Sequence, residues 1–151
     1  MKIESTQIGN TSQTGDSNNA LKIGQRAFDA FKNAIEVGDV NALIELMHDD
    51  VSFYVPIPFE EWRGEQRGRE RLRELIQFER DAMELRVKFT QVSIAAANNI
   101  AAVEFQVEGT NKGGAYRNHI AIFFEITGEK VTAFREYAGD IDPQAVAAVN
   151  G

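Results

Sequence analysis

A chain of 151 residues, 43% hydrophobic and 26% charged, is one domain's worth and long enough to bury a core. Its formal net charge of −7 argues against nucleic acid or an anionic membrane surface, both of which call for a basic face. With no cysteine there are no disulfides, no thiolate chemistry and no cysteine-metal sites.

The N-terminal stretch MKIESTQIGNTSQTGDSNN has no apolar core of the secretory kind, and no apolar run approaches the roughly 20 residues of a membrane span. The expectation is a soluble, cytoplasmic protein with no nucleic-acid and no membrane partner. Residues 1–19 are rich in Ser, Thr, Asn, Gln and Gly and read as a flexible polar arm. Residues 20–151 read as a single domain, without internal repeats.

From Ala20 the pattern is helical. Leu21, Phe28, Phe31 and Ile35 share a face with Ala27 and Ala34, and Gly38 ends the helix. Asp39 can cap a second short helix to about Met47, with Leu43, Leu46 and Met47 as its apolar stripe. VSFYVPIP reads as a strand that Pro56 and Pro58 terminate. FEEWRGEQRG reads as a polar loop holding the only tryptophan, Trp62, and a third helix is expected from about Arg69 to Ala82.

Beyond that the period becomes alternating. Strands are expected at 86–96, 100–109, 116–127 and 131–138, with a bulge near Thr90–Gln91 where the alternation slips. Turn signals at Asn98-Asn99, Asn111 to Gly114 and Gly128 join them into an antiparallel meander. The fold class expected is α+β: three N-terminal helices packed on a strongly curved antiparallel, partly mixed sheet, a cone with a pocket at its mouth.

Side-chain faces follow from the last hairpin. If Thr127 pairs with Lys130 and the register runs on unbroken, Phe123 sits opposite Phe134, Ala121 opposite Glu136 and His119 opposite Ala138. Glu136 then shares a face with His119, Phe123 and Phe134, and His119 is its diagonal neighbour. An acid beside Arg135 in a strand is ordinarily solvated, and a lone histidine on an apolar face is ordinarily a core residue. Two phenylalanines on the same face make a desolvated, proton-moving carboxyl the sharper alternative for Glu136. The reverse face, with Ile120, Ile122, Phe124, Arg135 and Tyr137, is also largely apolar, which suggests a homodimer packed sheet to sheet; a loop or the arm folding across it is the other reading.

The basic cluster Arg63, Arg67, Arg69, Arg71 and Arg73 reads as a solvated helix face paired locally with Glu70 and Glu74. His48 and His119 lack metal-ligand spacing, and no glycine-rich phosphate loop follows a strand, so neither a metal nor a cofactor is implied.

GDVNALIELMHDDVSFYVP, GRERLRELI and YRNHIAIFFEITGEKVTAFREYAGD together resemble the SnoaL-like polyketide cyclases of the nuclear transport factor 2-like (ketosteroid isomerase-like) superfamily, from about Leu21 to Ala148. The resemblance implies a cone-shaped fold, a dimer through the sheet and an apolar small-molecule ligand. It also implies a catalytic carboxylate in the last strand, at Glu136. The positions matching the base and the oxyanion-binding acid of ketosteroid isomerases are Val55 and Ala121, which cannot move protons. The Arg and Asp pair of limonene epoxide hydrolase has no counterpart around Glu104. Neither activity is expected here.

The leading expectation is an isomerase- or cyclase-type enzyme acting on an apolar, carbonyl-bearing small molecule. Glu136 is its acid or base and His119 a relay. Phe53, Tyr54, Trp62, Phe123 and Phe134 are expected as pocket wall, only one of the adjacent Phe53 and Tyr54 needing to face inward, with Glu104 as a further candidate. The alternatives are a non-enzymatic binder of a hydrophobic ligand and a dimeric adapter with no working pocket.

Overall fold

The computed structural model describes residues 3–140, with side chains from Gly15. Residues 1–2 of the arm and 141–151 of the expected domain lie outside the described residues. Three α-helices, α1 (Ile3–Val37), α2 (Asn41–Leu46) and α3 (Arg69–Gln77), pack on one mixed sheet. Its strands are β1 (Met47–Tyr54), β2 (Gln66–Arg67), β3 (Arg86–Ala97), β4 (Ile100–Asn111), β5 (Gly114–Thr127) and β6 (Lys130–Ala138), in the order β2-β1-β6-β5-β4-β3. β3 to β6 form the expected antiparallel meander, and β1 joins β6 in parallel. The sheet is open, and the α+β layout is the one read from the sequence.

α1 begins at Ile3 rather than Ala20. Two residues of the extension reach turns of the sheet: Ser17 Oγ accepts from the Asn98 amide at 2.9 Å, and Asn19 Nδ2 donates to the Gly128 carbonyl at 2.8 Å. The buried stripe of α1 is Ala20, Ile23, Ala27, Phe28, Phe31 and Ile35, while Leu21 stays exposed. Small residues bring this helix close to the sheet. A Cβ on Gly24 would lie 2.4 Å from the Cβ of Ala101 on β4.

Aromatic rings fill the space between α1 and the sheet. Phe105 lies 5.0 Å from Phe28 and 4.8 Å from Phe89, and Phe53 stacks on Phe134 at 5.2 Å with 8° between planes. The bulge in β3 falls between Gln91 and Ser93, beside the position read from the sequence.

Two elements depart from expectation. The helix expected to run to Ala82 turns α-helical only to Gln77 and ends in a π-helical turn, Phe78–Ala82, closed by the Met83 amide on the Phe78 carbonyl at 3.0 Å. The polar loop contains a 3₁₀ turn, Glu60–Trp62, and the short strand β2, which pairs with β1.

Candidate carboxyl site

The β5–β6 hairpin decides where the chemistry sits. Thr127 pairs with Lys130 and Ile126 with Val131, as an unbroken register requires, but Glu125 pairs with Ala133. Thr132 is an extra residue in β6, a bulge, and beyond it every side chain of β6 faces the other way relative to β5. Ile122 therefore lies opposite Glu136 and Phe124 opposite Phe134, where the sequence reading set Ala121 and Phe123. Phe134 and Glu136 point toward the helices, as expected, and both are buried. His119, Ala121 and Phe123 fall on the outer face with Arg135 and Tyr137.

The expected pairing of His119 with Glu136 is thus not formed. His119 Nε2 bonds Glu104 Oε2 at 2.7 Å on the outer face, and Ser93 Oγ donates to Glu104 Oε1 at 2.9 Å. The hydrogen bond from Ser93 and then that from His119 hold the Glu104 carboxyl below its ordinary value. Glu104 belongs to this exposed cluster and not to the pocket, because Val103 and Phe105 are the neighbours that face inward.

The wall residues divide as well. Phe53 and Phe134 are buried and stacked in the core beside the site. Tyr54, adjacent to Phe53 on β1, faces outward and packs on Tyr137 at 6.0 Å, and Phe123 packs on Tyr137 from the other side. Trp62 is buried under the Arg71 guanidinium, 3.6 Å from its ring centroid, and touches Phe78 at 5.6 Å. It supports the π-turn from behind and does not line the cavity.

Glu136 opens onto an interior cavity of about 100 Å³. Its walls come from the Pro56–Pro58 segment after β1, from Met83 and Leu85, and from Phe89, Val107 and Ile120 on the sheet. Two polar groups border it, Tyr116 and Asn118, joined by Asn118 Nδ2 donating to the Tyr116 hydroxyl at 3.0 Å. Glu79, from the π-turn, is the second carboxyl in this cavity. The residue keeps some surface at the rim, but its Oε1 is enclosed and has no hydrogen-bond partner among the described residues.

Burial in this apolar setting disfavours the charged forms of both acids. It pushes the Glu136 carboxyl up to about 7. Burial, and then the charge of Glu136, raises Glu79 well above the ordinary carboxylate range. The two acids interact, so their protons come off as a pair, the charge of one opposing the ionisation of the other. A carboxyl raised to about 7 beside a second raised carboxyl is an arrangement suited to giving and taking protons near neutral pH.

Glu79 was not among the sequence candidates. It stands in FERDA, a charged run that reads as the solvated end of a helix, and no apolar alternation marks it. A larger groove of about 760 Å³ lies between α1, α2 and the β5–β6 turn. Two of its three basic groups are already engaged, Arg69 with the Met47 carbonyl and Asp49, and Lys130 with the Glu45 carbonyl; the third is Arg26. The smaller cavity, with two perturbed acids, is the better candidate site. The other arginines of the basic cluster also pair locally, Arg67 with Asp50, Arg71 with Glu74 and Arg73 with Glu70. Among the described residues no group of His, Asp and Glu is placed to hold a metal ion. No helix among them is long and apolar enough to cross a membrane.

Comparison with known proteins gives the same architecture. A search among curated proteins finds no match. An NTF2-like protein from Anabaena variabilis is 25% identical, with a TM-score of 0.75 over 83% of this chain and 92% of its own. A protein with a ketosteroid isomerase-like fold from Catenulispora acidiphila, solved in complex with trimethylamine, is 22% identical with a TM-score of 0.62 over 74% of this chain and 83% of its own. An LEH-like epoxide hydrolase of M. tuberculosis is 22% identical with a TM-score of 0.59, covering 82% and 84% of the two chains. These likenesses show the fold. The SnoaL-like domain family matches residues 26–134, from the middle of α1 to Phe134 in β6, and the chain belongs to that family.

Proposed function

We propose that this SnoaL-like domain is a small-molecule enzyme of the isomerase or cyclase type, with Glu136 as its general acid and base. The observation that carries this reading is a buried carboxyl, raised to about 7, at the wall of an interior apolar cavity. A base needs a proton affinity near the working pH, and such a group contributes about 10²–10⁴-fold in rate. About 100 Å³ suits a compact substrate, and the apolar walls suit an uncharged one carrying a carbonyl. Phe134, two residues before Glu136 on β6, stacks on Phe53 in the core, and His119, on the outer face, takes no part.

Cyclopentanone is a ketone of suitable size, and its α-hydrogens report on the proposed step. In D₂O at pD near 7, the protein should accelerate loss of the α-proton signals in the NMR spectrum, and Glu136→Gln should lower the rate about 10²-fold. Equal rates for the two proteins would remove Glu136 from the chemistry.

The second reading is a binder without turnover, favoured by the Catenulispora protein, whose ketosteroid isomerase-like fold holds trimethylamine. A ligand extracted unchanged from protein purified from its host, and identified by mass spectrometry, would support that reading. The outer face of the sheet, where Tyr54 and Phe123 each pack on Tyr137, is the surface we assign to a homodimer.

A further inference from the structure

We infer that Glu79 is the second working group of this cavity, a proton donor presented by the π-helical turn against the Glu136 base on β6, so that a bound carbonyl is held between two carboxyl groups. The inference rests on the reading of Glu136 as the base and adds a residue and a division of labour.

Three observations carry it. Glu79 and Glu136 line the same cavity from opposite layers, one from the helical layer and one from the sheet. Glu79 Oε1 is enclosed and has no hydrogen-bond partner among the described residues, a costly state for a group that does only structural work. The segment that carries Glu79 is a π-helical turn, a widened backbone commonly found at functional sites. Among the described residues no cation offsets the two acids. The nearest arginine in sequence, Arg80, turns away to donate to the Ile35 carbonyl. Burial and then the charge of Glu136 raise the Glu79 carboxyl well above its ordinary range and favour its protonated form, the form that donates a hydrogen bond.

The step balances within the pair. The Glu136 carboxylate takes the α-proton, so the C–H bond breaks and an O–H bond forms. The electron pair left on carbon becomes the C=C bond. The carbonyl π pair takes the proton of Glu79, and that O–H bond breaks as the enol O–H forms. The pair ends with its one proton exchanged between the two members, and the reverse step returns the ketone. Because one proton is taken and one given, no other acid, oxidant or cofactor is required.

Cyclopentanone exchange in D₂O, followed against pH, tests the donor role. Wild-type exchange should rise through about pH 7 as Glu136 ionises and fall at higher pH as Glu79 loses its proton, a bell. Glu79→Gln should lower the plateau about 10²-fold and abolish the descending limb, leaving a simple rise. A bell that persists unchanged in Glu79→Gln overturns the inference.

A second measurement is independent of turnover. Carboxyl ¹³C shifts of labelled glutamate should show Glu79 titrating at lower pH in Glu136→Gln than in wild type, since the neighbouring charge is gone. An unmoved Glu79 titration shows that the two acids do not share the cavity, and the inference fails. If cyclopentanone exchange is absent in wild type while Glu79 shifts as stated, the enzyme reading fails for this substrate and the carboxyl pair stands.

Discussion

Glu136 makes the stability of this protein depend on pH in a stated direction. Its carboxyl goes from 4.5 in the unfolded chain to about 7 when folded, so the folded state holds the proton more tightly. Stability is then greatest below about pH 4.5 as far as this group is concerned, and declines as pH rises through 7, by on the order of 3 kcal/mol. Glu79, also raised, adds a loss of the same sign. Urea unfolding should give a lower midpoint at pH 8 than at pH 5.5, and Glu136→Gln should flatten that dependence and be the more stable protein at pH 8. A wild-type midpoint that rises over the same interval would contradict the burial of this acid. At this scale the inward-facing position of Glu136 was legible from its alternation with Phe134 in β6, although the hairpin register read with it is broken by the bulge. Glu79 was not, because the chain around it reads Phe-Glu-Arg-Asp and only the π-turn lays that segment over a cavity.

The elements were largely legible, and the one that was misread shows why the site was partly lost. Strand alternation is a local property: β5 alternates as read, and β6 alternates from Phe134 on, after a slip across Thr132 and Ala133. The match between two strands depends on every residue back to the turn, and the unread bulge at Thr132 moved His119 and Phe123 away from Glu136. The β3 bulge was read because its apolar alternation visibly slips from Val87 and Phe89 to Val92 and Ile94. At Thr132 the flanking residues are Val131 and Ala133, and either face tolerates them. A second property invisible in the sequence is the closeness of α1 to β4. Gly24→Val would drive a branched side chain into Ala101, where a Cβ alone already stands at 2.4 Å. The expected loss is about 1–3 kcal/mol in thermal or denaturant unfolding, the usual cost of overpacking. An unchanged midpoint would mean that α1 does not sit this close.

Among the described residues, the sheet has one face under α1 and one face uncovered. The open face carries a half-exposed Tyr137 between Tyr54 and Phe123, with Arg135 over the Phe123 ring at 5.6 Å. Aromatic residues with an arginine are the composition of an interface centre. Tyr137→Arg sets two like charges beside each other there, and sedimentation velocity should show a dimer in wild type and a monomer in the variant. A wild type that sediments as a monomer at micromolar concentration would remove the sheet as a dimer surface. The sequence by itself determined the α+β class, the meander and the acid in the last strand, because hydrophobic period and turn residues act over a few neighbours. Only the tertiary structure decided which acids share a cavity. That depends on a one-residue bulge in β6 and on where a widened helical turn comes to rest over the sheet, both settled by packing between segments far apart in the chain.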